Sequence, residues 1–108
     1  MNLERFEEAR SVLRKTMPAA RRVLGEEHRL TLKMRKIYAR TLYEDDGATL
    51  DDLRESVTTL EEITRIAQRV MGRSHPFTAA IEDDLRNSRA ALRALSLIHI
   101  SEPTRLGF

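Results

Sequence analysis

Several residue types and patterns are missing from this chain, and each absence removes a class of structure or chemistry. There is no cysteine, so neither a disulfide nor thiolate chemistry is available. There is no tryptophan, and other aromatic residues are few. No apolar run approaches the roughly 20 residues that a membrane-spanning helix needs. The N-terminal stretch MNLERFEEAR is acidic and lacks the apolar core of a secretory signal, so we expect a cytoplasmic protein.

Charged residues, by contrast, are numerous and nearly balanced in sign. The 108 residues include 19 basic and 17 acidic ones, which gives a formal net charge of +2. Lysine occurs only at positions 15, 33 and 36, and arginine supplies the rest of the positive charge. The arginines are interleaved with glutamate and aspartate along every segment. This is typical of solvent-exposed helix faces with i, i+4 pairs and argues against a nucleic-acid interface.

Two stretches of the sequence resemble each other without a gap. Residues 21–32 read RRVLGEEHRLTL and residues 68–79 read QRVMGRSHPFTA. Gly25 aligns with Gly72, at an offset of 72 − 25 = 47 residues. The same offset aligns His28 with His75 and Thr31 with Thr78. Self-similarity at a fixed period of a few tens of residues predicts a solenoid of stacked repeats.

Apolar residues recur at three- and four-residue steps in four segments, with no strand-like alternation between them. We therefore predict an all-α fold with helices over residues 3–24, 29–43, 50–71 and 76–95. Pro18 lies inside the first segment, where it would kink or break the helix. Thr49 and Asp52 form a capping-box pattern before the third helix. Gly25 is expected to end the first helix in a left-handed conformation.

The stretches RRVLGEEHRLTLKMRKIYARTLYEDDG and QRVMGRSHPFTAAIEDDLR resemble the tetratricopeptide repeats (TPRs) of kinesin light chains and their relatives. In that family a run of the form R-V-L-G-x-x-H-P-x-T joins one repeat to the next. The resemblance implies a right-handed solenoid of antiparallel helix pairs, here about two repeats in four helices. It also implies a concave face that binds peptides or proteins, and no catalytic activity. The residues assigned to the turns between repeats are Gly25, His28, Thr31, Gly72, His75, Pro76 and Thr78.

Three features depart from the family pattern. The period is longer than usual, and the surplus fits the loop YEDDGATLDD between the second and third helices. Arg29 stands where proline is usual in the first junction. Relatives that grip extended peptides often carry an asparagine pair, whose places hold Lys36-Ile37 and Asp83-Asp84 here. We therefore expect the fold to be retained, but not the family's grip on a peptide backbone.

The domain organisation follows from the repeat pattern. The repeat-like region spans residues 1–95 and holds about two repeats, so we expect a fragment of a longer array, because solenoids normally need at least about three repeats. From Ser96 the helical step is lost, and Pro103 and Gly107 interrupt any continuation. The wording LIHISEPTR resembles a translated sequencing adapter. We expect residues 96–108 to be a non-native or disordered tail; a genuine capping turn is the alternative.

No residues combine into a catalytic or metal site. His28 and His75 occupy equivalent places and have no cysteine or suitably spaced histidine beside them, which favours a structural role in the turns. A calcium loop centred on the acidic connection would begin at Leu42 and end at Leu53, and neither can bind a cation. Adjacent acidic pairs point about 100° apart on a helix and make no catalytic dyad. We predict neither enzymatic activity nor a cofactor or metal.

The sequence therefore favours protein–protein interaction, with a protein or peptide partner and no membrane. We expect the polar sides of the second and fourth helices to line the binding face. The residues expected there are Lys33, Lys36, Tyr38, Arg40, Glu82, Asp83, Arg86 and Arg89. Two alternatives stay open. One is a regulatory repeat array attached to an enzyme or nucleotide-switch domain, and the other is a small helical bundle that self-associates through its uncapped ends.

Overall fold

Four α-helices follow one another along the chain in the computed structural model, which describes the backbone of residues 3–101 and the side chains of residues 5–98. They are α1 (Leu3–Val23), α2 (Arg29–Tyr43), α3 (Leu50–Val70) and α4 (Pro76–Ser101). No strand occurs between residues 3 and 101. The prediction of an all-α fold is confirmed, and each helix begins at the residue where the apolar pattern places its start.

Consecutive helices pack antiparallel. The bonds between α2 and α3 show this. Arg35 of α2 bonds Glu62 of α3, whereas Tyr38, which comes later on α2, bonds Glu55, which comes earlier on α3. In addition α2 contacts α4, so these two helices lie side by side and run in the same direction. Short connections between the helices make this arrangement the natural one.

The core is built from one stripe on each of α2, α3 and α4. On α3 the buried stripe comprises positions 53, 56, 60, 63 and 67, at helical three- and four-residue steps, and Thr64 beside it is also buried. The fully buried apolar residues are Leu32, Ala39, Leu42, Leu60, Ile63, Ala67 and Ile81. Each large aliphatic side chain among them contributes about 1.5–3 kcal/mol relative to an exposed position. Ser56, the polar member of the α3 stripe, donates to the carbonyl of Ala39 at 2.9 Å.

The turn between α1 and α2 and the turn between α3 and α4 are made by the same local chemistry. Gly25 and Gly72 have φ of 96° and 97°, a left-handed conformation in which a side chain is strained. Three residues later a histidine caps the next helix. Nδ1 of His28 accepts from the amide of Leu30, and Nδ1 of His75 accepts from the amide of Phe77, both at 3.0 Å.

The threonines in these turns tie the two helices together. The hydroxyl of Thr31 donates to the carbonyl of Ala20, and that of Thr78 donates to the carbonyl of Ala67, both at 3.4 Å. Both threonines are buried, so the bond satisfies a hydroxyl that would otherwise be unpaired in the core.

The helix bounds repeat at the offset seen in the sequence. The start of α3 lies 50 − 3 = 47 residues after that of α1, and its end lies 70 − 23 = 47 residues after that of α1. The starts of α2 and α4 differ by 76 − 29 = 47 residues. Equivalent positions of α1 and α3, and of α2 and α4, are therefore found by adding or subtracting 47.

Helix continuity agrees with the predicted bounds at Pro18 and departs from them at Ser96. Pro18 does not break α1, which continues as one helix to Val23, as the predicted helix over residues 3–24 requires. Its ring lies at an exposed position, where the loss of one backbone bond can be compensated by water. The helical step is also not lost at Ser96, since α4 continues to Ser101. The segment 96–101 contains neither glycine nor proline, so an established helix can propagate through it. The expectation of a non-native tail extends to residues 102–108, which lie outside the described residues.

The capping box predicted before α3 is confirmed. The hydroxyl of Thr49 accepts from the amide of Asp52 at 3.1 Å, and the carboxylate of Asp52 accepts from the amide of Thr49 at 3.0 Å. Two backbone donors at the start of the helix are thereby satisfied reciprocally.

The left-handed glycines generate a stability prediction. Gly25→Ala and Gly72→Ala should each lower the free energy of unfolding by about 1 kcal/mol, because a side chain in this conformation is strained. A Cβ at either position meets no atom within 4 Å, so the loss comes from the backbone and not from a clash. Chemical denaturation measures it.

Gly47→Ala is the matched control. Gly47 is not in the left-handed region, and its added Cβ makes an ordinary 3.5 Å contact with Asp45. Its free energy of unfolding should stay close to that of the wild type. Equal losses in all three variants would contradict the assignment of strain to the two turns.

Candidate partner-binding face

The exposed side of α2 carries two basic and two apolar residues. Leu30, Lys33, Ile37 and Arg40 recur at three- and four-residue steps, and all four are exposed. Leu30 is 49% and Ile37 is 40% exposed. Lys33 and Arg40 thus lie where the sequence places them, on the outer side of the helix, but with an aliphatic side chain beside each.

Tyr38 does not belong to this side, and its assignment to the binding face is wrong. It is 5% exposed, and its hydroxyl accepts from Nε of Arg14 at 3.3 Å and donates to Glu55 at 2.8 Å. The position lies seven residues after Thr31, which places both on the buried stripe of α2. Burial raises the pKa of Tyr38. Its role is to join α2 to α1 and α3.

Lys36 is held in a part-buried cluster between α2 and α4. Its Nζ lies 3.0 Å from Oδ2 of Asp84, and only 14% of the Lys36 side chain is exposed. The hydroxyl of Tyr43 donates to Oδ1 of the same carboxylate at 2.6 Å, and Nε of Arg40 lies 3.7 Å away. Asp84 is 6% exposed and is thus surrounded by two cations and one hydroxyl. This cluster fixes α2 against α4 and leaves Lys36 little freedom to bind a partner.

Tyr43 is strongly affected by this cluster. Burial, followed by the hydrogen bond to Asp84, raises the pKa of Tyr43 well above its ordinary value of 10.0. A negative carboxylate that accepts a hydrogen bond from the phenol disfavours the phenolate. Tyr43 therefore acts as a donor that holds the buried carboxylate in place.

The four residues expected on α4 divide between two sides of that helix. Asp83 and Arg86 form an exposed ion pair one turn apart. Glu82 accepts from Gln68 of α3 at 2.8 Å, and Arg89 donates to Glu61 of α3 at 2.9 Å. Positions 82 and 89 are seven residues apart, so both point toward α3. The eight predicted residues consequently do not form a single face.

The sequence reasoning did not recognise that two charged residues, Arg35 and Asp84, are buried. Arg35 is 6% exposed; one guanidinium nitrogen bonds Glu62 of α3, and the other lies 3.6 Å from Glu26. The bond from Arg35 lowers the pKa of Glu62. Asp84 lies three residues after Ile81, on the apolar stripe of α4. A charged residue at a position of the apolar stripe is the sequence signal that could have identified Arg35 and Asp84 as buried.

Asp45, in the acidic loop between α2 and α3, is held by bonds within the protein. Oδ1 of Asp45 accepts from the amide of Gly47 at 2.8 Å, and Oδ2 pairs with Arg10 of α1 at 2.8 Å. Among the described residues no group of three potential ligands is placed to hold a metal ion. None of the described helices combines the length and apolar character needed to cross a membrane.

Comparison with known protein families gives a match over part of the chain. A family model described as tetratricopeptide repeat matches residues 1–30, which include α1, the turn at Gly25 and the beginning of α2. The match and the four stacked helices support a TPR-type repeat protein. TPRs usually mediate protein interactions and are generally not catalytic. No curated protein and no solved structure matches the chain.

The cluster at Asp84 predicts that substitutions of Lys36 and Lys33, the two lysines of α2, lower the free energy of unfolding unequally. Lys36→Met should lower the free energy of unfolding by about 1–3 kcal/mol, because it removes the nearest cation from a buried carboxylate. Lys33→Met, at an exposed position, should change it by less than about 0.5 kcal/mol. Urea unfolding compares them. A second change, Asp84→Asn, should restore part of the loss in the Lys36 variant, and equal losses at both lysines would contradict the cluster.

The raised pKa of Tyr43 predicts a loss of stability in alkali. Below about pH 10 the tyrosine is protonated in both states, and its contribution is fully present. As the pH rises further, the unfolded chain releases the proton that folded Tyr43 retains, so the free energy of unfolding falls. Tyr43→Phe cannot titrate. The difference in unfolding free energy between wild type and this variant should therefore shrink as the pH rises above about 10, and a constant difference would refute the prediction.

Proposed function

We propose that this chain is a protein–protein interaction module that binds an extended partner segment along α2 and the adjoining edge of α4. The observation that carries the proposal is the side-by-side packing of these helices, held by the cluster at Asp84. It places Lys33 and Arg40 on one helix and Asp83 on the next, all exposed. A partner bound to preformed helices does not have to order the surface it meets, which favours affinity.

The chemistry of the face indicates an acidic partner with apolar residues. Lys33 makes no ion pair with the described residues, so its ammonium can meet a partner carboxylate. Arg40 is 45% exposed even though it pairs with Glu44. Leu30 and Ile37 offer aliphatic surface beside these cations. Charges of this kind steer association and select partners more than they add affinity.

We also propose the finer relationship, that the repeats are of the kinesin-light-chain kind and that the protein works in the cytoplasm. Two turns with the same glycine, histidine and threonine support the first part, because the family motif is carried at both junctions. Lys36-Ile37 and Asp83-Asp84 stand in place of the family's asparagine pair. Of these, only Ile37 and Asp83 are exposed, and neither has an amide side chain that could bond a peptide backbone.

Selection from a library of random peptides tests the proposal. Enriched peptides should be acidic and should bind more weakly as the salt concentration rises. Lys33→Glu should raise their Kd roughly tenfold, because it replaces an attraction with a repulsion. Isothermal titration calorimetry measures the change.

Arg65→Glu is the matched control, because Arg65 is exposed on α3, away from the proposed face. It changes the net charge by the same amount and should leave Kd nearly unchanged. Equal weakening by both variants would show that net charge alone causes the effect. Failure to enrich any peptide would count against the binding face.

A further inference from the structure

The offset of 47 residues allows the contact between α2 and α3 to be transferred to the pair α4 and α1. Inside the chain, Arg35 of α2 bonds Glu62 of α3. Adding the offset to the first residue gives 35 + 47 = 82, and subtracting it from the second gives 62 − 47 = 15. These positions hold Glu82 on α4 and Lys15 on α1. The ion pair is retained with its signs exchanged.

A second contact transfers in the same way. Tyr38 of α2 bonds Glu55 of α3, and the shift gives Leu85 on α4 opposite Glu8 on α1. Arg89 lies one helical turn beyond Leu85, within reach of the Glu8 carboxylate across an antiparallel pair. In the structure Glu8 and Lys15 are exposed, and the Arg89 side chain is 49% exposed. The outer sides of α4 and α1 thus present charges of opposite sign at equivalent heights, and Glu82 and Arg89 also bond Gln68 and Glu61 of their own α3.

The apolar residues left exposed on α1 and α2 lie on the same edge. Arg29 stacks on Phe77 between α2 and α4, and the shift places Pro76 opposite Leu30. The contact of Lys36 with Asp84 likewise becomes Asp83 opposite Ile37.

Val12 lies three residues before Lys15 on the outer side of α1 and is 62% exposed. Val12, Leu30 and Ile37 would therefore be covered together by a helix packed in the repeat register.

We propose that the chain self-associates head to tail, with α4 of one copy packed on α1 and α2 of the next in the 47-residue register. The occupant of this edge is a second copy because the two ends complement each other in charge. The exchanged signs also add selectivity, since Glu82 would face Glu62 if α4 packed against α3 of another copy in place of α1. The proposal goes beyond partner binding at Lys33 and does not depend on it.

A contact of this kind joins two different surfaces, so it leaves one of each free in every dimer. Assembly is therefore open-ended and grows with protein concentration. Sedimentation velocity of the whole chain at increasing concentration should show a rising average sedimentation coefficient. High salt should reduce the rise, because the pairs at the contact are near the surface.

Two charge reversals test the register. Glu82→Lys places two ammonium groups opposite each other at this contact, and Lys15→Glu places two carboxylates there. Each variant alone should therefore associate roughly five- to tenfold more weakly than the wild type. An equimolar mixture should recover wild-type association. In the mixture, the α4 of each variant finds an opposite charge on the α1 of the other.

Arg65→Glu serves here too as a control, with a charge change of equal magnitude, and it should associate like the wild type. A chain that stays monomeric at every concentration would overturn the proposal. So would association that neither reversal weakens, or a mixture no stronger than its components; these results would assign the edge to a different occupant. Leu30, Ile37 and Asp83 belong to both proposed surfaces. Peptide binding is therefore measured at a protein concentration at which the chain is monomeric, so that either proposal can fail alone.

Discussion

The turn that ends one helix at a left-handed glycine and starts the next at a histidine is the constraint on which the rest of the structure depends. Gly25 and Gly72 reverse the chain within a few residues, and His28 and His75 satisfy an amide at the start of the following helix. Because both turns have the same geometry, α1 meets α2 as α3 meets α4. The side-by-side placement of α2 and α4, and every surface they form together, follows from that equality.

Buried polar groups then determine how the stacked helices are aligned. Aliphatic residues such as Leu32 and Leu60 tolerate sliding, since dispersion and hydrophobic burial are not directional. The bond chain from Ser88 through Ser56 to the carbonyl of Ala39, and the bond from Tyr43 to Asp84, are directional, so they form in one alignment of the helices. The core supplies most of the stabilisation, whereas these bonds select one register among several of similar burial.

Local chemistry explains which features could be predicted from the sequence. Helix starts, the capping box at Thr49 and the glycine turns depend on residues a few positions apart, and the sequence contains them all. The side of α2 on which Tyr38 and Lys36 lie depends on three neighbouring helices, so polarity alone placed both on the outer face. The length of α4 was underestimated for a related reason. The apolar cluster near Leu97 was interpreted as a loss of pattern, although nothing in it stops a helix.

Positions that are equivalent under the 47-residue offset carry different charges in successive repeats. Arg35 pairs with Glu62 inside the chain, while Glu82 and Lys15 occupy the equivalent positions at its two ends. The turn and core positions retain their chemistry across the offset, as Gly25 and Thr31 do at Gly72 and Thr78. The turns and the apolar core therefore keep the same chemistry in successive repeats, whereas the charged positions differ between them. Such a difference lets each helix distinguish its own neighbour from the equivalent helix one repeat away, which uniform pairs could not do.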